Sequence, residues 1–187
     1  MDEIHIRNVL NGDTNAFRFI VKSYKDIAFS LAMSVVKDEF IAQEVIQSAF
    51  VIAFTKLSSF QGKSKFSTWL YRIVVNEAFK VIKKQKSERI IFLESPILNA
   101  PGIDHFSLTM DADEQRYYIN EALKMLTSKE SLVLRLFYLE ENNIDEIAEI
   151  TGWTSSNIKV LLHRARINMK ALLLKCFDID KQILYRC

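Results

Sequence analysis

The sequence predicts an all-α chain: two small helical domains joined by a flexible linker, the second containing a helix-turn-helix. Three observations predict this. Of the 187 residues only four are glycine and two proline, too few turn residues for a sheet-rich chain. Apolar residues recur at spacings of three and four. Both prolines, with one of the four glycines, fall in a single stretch, ESPILNAPGIDHFSLTMD from Glu94 to Asp111, where that period fails.

Taken in order, Phe17, Ile20, Val21, Tyr24, Ala28 and Leu31 mark a first long helix, with Asp13 as its expected N-cap. Ile41, Val45, Ala49 and Ile52 mark a second. Leu70, Ile73, Val74, Ala78 and Val81 mark a third, inside KFSTWLYRIVVNEAFKVIKKQK. The aperiodic stretch sets the expected boundaries: a first domain over 1–88, a linker over 89–113 and a second domain over 114–187. Apolar Ile90, Ile91, Phe92 and Leu93 suit a linker that docks on something.

Helical spacing resumes at Tyr118, Ala122, Met125 and Leu126. TSKE (Thr127–Glu130) reads as a capping box before SLVLRLFYL, and NIDE (Asn143–Glu146) as a similar cap before IAEI. Gly152 then supplies a sharp turn, and a further helix starts near Thr154. Ala148 lets two helices cross closely, and Ile158 and Leu162 pack back onto Ile147. This is helix-turn-helix grammar, in which the start of the second helix enters the DNA major groove. Lys159, Val160, His163 and Arg164 share the exposed face of that helix.

The net charge is only +2, but it is unevenly placed. Lys56 to Lys86 holds eight Lys or Arg and one acid, Glu77; Ser155 to Lys175 holds five and no acid. Two separate basic blocks suit two contacts with one polyanion. With the apolar stripe inward, Trp69, Arg72, Asn76, Lys80 and Lys83 are expected on one outer stripe. Cations hold phosphates, an aromatic stacks on an unpaired base, and an asparagine reads a base edge. The preceding FQGKSKF (Phe60–Phe66) adds Lys63 and Lys65 on a glycine-containing loop. Glu44 and Gln47 form a different face, acidic and amide, suited to a basic protein.

Other classes find no support. His5, His105 and His163 are scattered, and the two cysteines, Cys176 and Cys187, form no CxxC pair, so no metal site, cofactor or catalytic set is expected. The start MDEIHIRNVLNG lacks an apolar signal core, and no apolar run is long enough to span a bilayer. A reduced, cytoplasmic setting fits.

Four stretches, in order, resemble the bacterial RNA polymerase sigma factors of the extracytoplasmic-function group. They are GDTNAF, AQEVIQSAFVIAF, FQGKSKFSTWLYRIVVNEAFKVIKKQK and NIDEIAEITGWTSSNIKVLLHRAR, together spanning about Gly12 to Leu173. The resemblance implies a protein that performs no chemistry. It would bind core RNA polymerase, carry it to promoter DNA and help open the −10 region. It implies −10 contacts from Phe60, Lys63, Lys65, Trp69, Arg72, Asn76, Lys80 and Lys83. It implies −35 contacts from Ser156, Lys159, Val160, His163 and Arg164. Glu44 and Gln47 would dock on the β′ clamp helices, the second domain would meet the β flap, and the linker would thread towards the RNA exit channel. An anti-sigma factor or other recruiting protein is a further partner of the group.

The chain departs from the family pattern at Ser48, where an acid is common, and at Val160 and Leu161, both expected to point outward. The main rival is an autonomous helix-turn-helix regulator, which would bind palindromic duplex alone and leaves the first half without a role. A helical adaptor that binds only protein would have no affinity for single-stranded DNA.

Overall fold

The computed structural model describes residues 2–89 and 112–176. Every regular element among them is helical. The expected linker, with His105, lies outside the described residues except where its ends run into helices; so does the tail from residue 177.

The first half holds α1 (Asp2–Leu10), α2 (Phe17–Val36), α3 (Glu39–Thr55) and α4 (Phe66–Arg89). Entry into α2 differs from expectation. Asp13 precedes a single 3-10 turn, Thr14–Ala16, and its side chain makes no cap hydrogen bond; α2 grows out of that turn at Phe17. The exit is sharp. Lys37 adopts the left-handed conformation at φ 62 and donates its backbone N–H to the Met33 carbonyl. Asp38 follows at once, and its Oδ1 accepts from the Ile41 N–H at 2.9 Å. Two residues thus end one helix and cap the next.

Ala28, Leu31, Ala32 and Val35 of α2 are fully buried, as are Ala42, Ala49 and Ala53 of α3 and Leu70, Val74 and Ala78 of α4. The alanines let the three backbones approach closely, with α2 packed against both others.

The second half holds α5 (Ala112–Met125), α6 (Ser128–Leu134), α7 (Ile144–Thr151) and α8 (Ser155–Cys176). Both expected capping boxes are present. At the first, Thr127 Oγ1 accepts from the Glu130 N–H, and Glu130 Oε2 accepts from the Thr127 N–H at 3.3 Å. Glu130 is buried, and its other oxygen accepts from Asn168 Nδ2 at 2.8 Å, so one carboxylate starts α6 and ties it to α8. Past Leu134 the helix widens into a π turn, Arg135–Leu139, which the apolar spacing did not foretell.

The two halves pack on each other, and their buried apolar residues form one continuous core. Along the seam each half caps a helix of the other. The Ser128 hydroxyl, at the start of α6, donates to the Val35 carbonyl at the end of α2 at 2.6 Å. The Lys37 ammonium, just past α2, donates to the Leu123 carbonyl near the end of α5. Both carbonyls belong to last turns, where helices lack internal donors. Arg135 adds Nε to Ser34 Oγ at 2.9 Å and Nη2 to Asn120 Oδ1 at 3.1 Å.

Lys37 borders a cavity of about 450 Å³ between α2 and α5–α6, also lined by Glu39, Glu121, Lys124 and Arg135. Burial, and then the like charge of Arg135, lowers the Lys37 pKa from 10.5 to about 7. Unfolded, Lys37 regains 10.5, so between these values the unfolded chain binds more protons and stability rises with pH. Below about 7 Lys37 is protonated in both states and its slope vanishes. The melting-temperature difference between wild type and Lys37→Met is therefore expected to move in favour of wild type as pH goes from roughly 7 to 9.5. A pH-independent difference would contradict this.

Candidate nucleic-acid interface

The start of α4 is built on an aromatic cluster. Phe66 is buried and meets Tyr24 edge-on, with ring centroids 5.6 Å apart. Phe60, at the head of the loop, meets Phe66 at 5.4 Å and Trp69 at 5.6 Å. Trp69 is also 5.5 Å from Phe66. Trp69 therefore does not stand free on the outer stripe, as the sequence suggested. It is half-buried, because the loop folds over it, and it braces that loop on α4. Gly62 takes φ 67 at the loop tip, a conformation that costs other residues about 1–2 kcal/mol. Lys63 and Lys65 are left exposed on this fixed loop.

Beyond the loop the stripe is as expected. Arg72, Asn76, Lys80 and Lys83 are all exposed on one side of α4, opposite Leu70, Val74 and Ala78. Lys80 pairs with Glu77, the only acid in this basic block, at 3.3 Å. The pair is exposed and holds the ammonium only weakly. The result is a cationic ridge on a stiff helix with one amide, Asn76, in its middle.

The helix-turn-helix forms as its sequence grammar implies. Asn143 Oδ1 accepts from the Asp145 and Glu146 N–H groups at 2.9 Å each, and Glu146 Oε2 accepts from the Asn143 N–H at 2.9 Å. Gly152, at φ 73, closes α7 through its N–H to the Ala148 carbonyl at 2.8 Å. Thr154 Oγ1 accepts from the Asn157 N–H at 3.3 Å and starts α8. Ile147, Ile158, Leu162 and Ala165 are buried together, which fixes the outer face of α8. Ser156, Lys159, Val160, His163 and Arg164 are exposed on it.

Leu161 departs from expectation. It is half-buried and faces inward, lining a cavity of about 620 Å³ with Phe79, Ile82 and Lys86 of α4. The first half covers this flank of α8, which the sequence of the helix alone does not reveal. The exposed apolar partner of Val160 is Ile167, two turns further along; the two are 56% and 55% exposed.

Glu44 and Gln47 are exposed on α3. Phe40 (82% exposed) and Val51 (63%) stand on the same stripe at spacings of four, three and four. Sequence reading passed over both, although that spacing was there to find.

The contacts that the sequence missed most completely join α4 and its leading loop to the second half. Lys65 Nζ meets Glu146 Oε1 at 2.7 Å. The hydrogen bond from Lys65, and then that from the Asn143 backbone, lowers the Glu146 pKa. Glu146 thus caps α7 with one oxygen and holds a loop cation with the other. Further along, Phe79 meets Trp153 edge-on at 5.9 Å, and Lys129 Nζ lies 5.5 Å from the Trp153 ring centre. No candidate metal cluster occurs among the described residues, and no helix there is long and apolar enough to cross a membrane.

Comparison with known proteins gives a consistent picture. The Sigma-70 region 2 family model matches residues 20–88, and the Sigma-70, region 4 model matches residues 116–169. The ECF RNA polymerase sigma factor SigW of Bacillus subtilis is 32% identical over 171 residues, covering 86% of this chain and 90% of that protein. The ECF RNA polymerase sigma-E factor of Escherichia coli is 28% identical over 173 residues, covering 88% and 90%. Two solved structures share the fold. One is the sigma factor RpoE with the anti-sigma factor NepR from Bartonella quintana, with TM-score 0.66 and 23% identity over 85% of this chain and 97% of that one. The other is CnrH with the cytosolic domain of CnrY, with TM-score 0.63 and 22% identity over 92% and 96%.

Proposed function

Because the chain belongs to the extracytoplasmic-function sigma factors of RNA polymerase, we propose that its exposed faces divide the work of a promoter-directing factor as follows. The first domain, 1–88, binds core polymerase and the −10 element. The second, 114–187, binds the −35 element and the β flap, and 89–113 connects them. The chain works in the cytoplasm and performs no chemistry of its own; it positions polymerase and holds opened DNA.

The observation that carries this reading is the placement of an open cationic ridge on α4 in the same chain as a capped helix-turn-helix with an acid-free second helix. On the −10 side, Arg72, Lys80 and Lys83 hold phosphates, with Lys63 and Lys65 on the loop. Asn76 is the group that reads a base edge. Phe60 and Trp69 hold the loop in shape, so that an unpaired base meets a preformed surface. On the −35 side, Ser156, Lys159, His163 and Arg164 supply polar contacts, and Val160 suits a thymine methyl.

Polymerase docks on α3. Glu44 and Gln47 suit a basic partner, and Phe40 and Val51 add apolar area at either end of the stripe. An anti-sigma protein, the kind of partner present in the RpoE structure, is a further ligand.

Two experiments test the division. Glu44→Lys with Gln47→Ala is expected to abolish retention by immobilised core polymerase while leaving the circular dichroism melt unchanged. A folded double variant that assembles holoenzyme with wild-type affinity would remove the polymerase from α3. Separately, Lys80→Glu with Lys83→Glu in the holoenzyme is expected to lower the log–log salt slope of open-complex formation by roughly 1.8, at about 0.9 for each phosphate no longer neutralised. An unchanged slope would remove DNA from the α4 ridge.

A further inference from the structure

We propose that the cavity between α2 and α5–α6 is a binding site for a phosphoryl group, free or carried on a small molecule, and that Lys37, Arg135 and Ser131 hold it. None of the residues assigned above to DNA or polymerase lines this cavity, so that function leaves it without a role. Its volume, about 450 Å³, falls within the range of small-ligand sites.

Charge is unbalanced there. Lys37 and Arg135 are both partly buried on the cavity wall. Among the described residues neither has a carboxylate within ion-pair distance. Glu140 eases the burial of Arg135 from a greater distance but does not line the cavity. Of the two acids that do, Glu121 is paired with Lys124, and Glu39 is exposed. Two cations drawn out of water beside each other call for an anion.

Spare donors point the same way. Lys37 gives one of its three ammonium N–H groups to the Leu123 carbonyl. Arg135 gives two of its five, to Ser34 Oγ and Asn120 Oδ1, and these bonds orient the guanidinium. Ser131 Oγ is fully buried, borders the same cavity and has no hydrogen-bond partner among the described residues. The three donor groups come from the end of α2, the first turn of α6 and the π turn. A phosphoryl group offers three acceptor oxygens and nearly two negative charges to match them. A carboxylate offers two oxygens and one charge, which leaves a cation and a donor unmatched. Phe29, Met33 and Tyr117 provide apolar wall for whatever carries the phosphate.

The test uses the full chain with two probes, inorganic phosphate and adenosine 5′-monophosphate, read by titration calorimetry and thermal melting. At ten times its Kd a bound probe should raise Tm by roughly 3–6 °C. Arg135→Gln should weaken binding at least about tenfold. That variant also loses the bonds to Ser34 and Asn120, so Ser131→Ala is the cleaner one. It removes a buried hydroxyl that lacks a partner, so Tm without probe should stay unchanged or rise, while affinity falls roughly three- to tenfold. Tighter binding of the nucleotide than of phosphate assigns the site to a phosphate ester; the reverse assigns it to the free ion.

Sulfate, which neither gains nor loses a proton near neutrality, gives a separate readout of Lys37. Burial and the charge of Arg135 hold that ammonium down at about 7, and an anion beside it restores its charge. Sulfate binding at pH 8 should therefore take up roughly one proton. Failure of both probes to bind would overturn the proposal. So would equal affinity in wild type and Ser131→Ala, which would place the anion on exposed cations elsewhere. Sulfate binding without proton uptake would remove Lys37 from the site and overturn it as well.

Discussion

The reciprocal capping between α2 and α5–α6 is the constraint on which the arrangement of the two halves depends. A helix end inside a protein leaves carbonyls that must find donors. Here the donors come from the opposite half: Ser128 for Val35, and Lys37 for Leu123. Neither half would bury these ends alone without leaving polar groups unpaired or returning them to water. Tyr71 and Glu140 extend the same logic. Burial, and next the Glu140 carboxylate, raises the Tyr71 pKa, so the phenol stays neutral between the halves. Burial also raises the Glu140 pKa, against the opposing pull of Arg135. A seam built from such groups is specific, because any sliding leaves several of them unpaired at once.

α4 joins this seam to the exposed cationic ridge. One side of the helix is locked by Leu70, Val74 and Ala78 into the first core. A second side, with the loop that leads into it, carries Lys65, Phe79, Ile82 and Lys86 towards the second half. The remaining side carries Arg72, Asn76, Lys80 and Lys83 into solvent. A single stiff helix therefore serves core, seam and ridge. Lys65, on the loop that leads into α4, ties that loop to Glu146 of the second half.

Much of this was legible in the sequence, and the part that was not shares a physical cause. The capping boxes at Thr127 and Asn143, the turn at Gly152 and the outer stripe of α4 depend on residues within a few positions of one another. Spacing alone reveals them. The resemblance to the sigma family likewise rested on contiguous motifs. By contrast, Lys65 and Glu146 are far apart in the chain, and nothing local marks them as partners. Leu161 looked exposed because α8 alone offers no reason to cover that flank; α4 of the other half covers it. Trp69 had the right spacing for the stripe but is claimed by Phe60 and Phe66, since an aromatic loop gains more by packing than by leaving a large ring in water. Asp13 failed as a cap of α2 because a 3-10 turn intervenes.

Amide hydrogen exchange tests the central claim most directly: that the reciprocal caps hold the two halves together through this seam. Exchange should be compared between wild type and the double variant Ser128→Ala with Lys37→Met. The account predicts slow exchange in wild type at 34–37 and at 128–131, and faster exchange at those positions in the variant, with the interior of α3 unchanged. Equal protection of the seam in both proteins would contradict it, as would an unprotected seam in wild type.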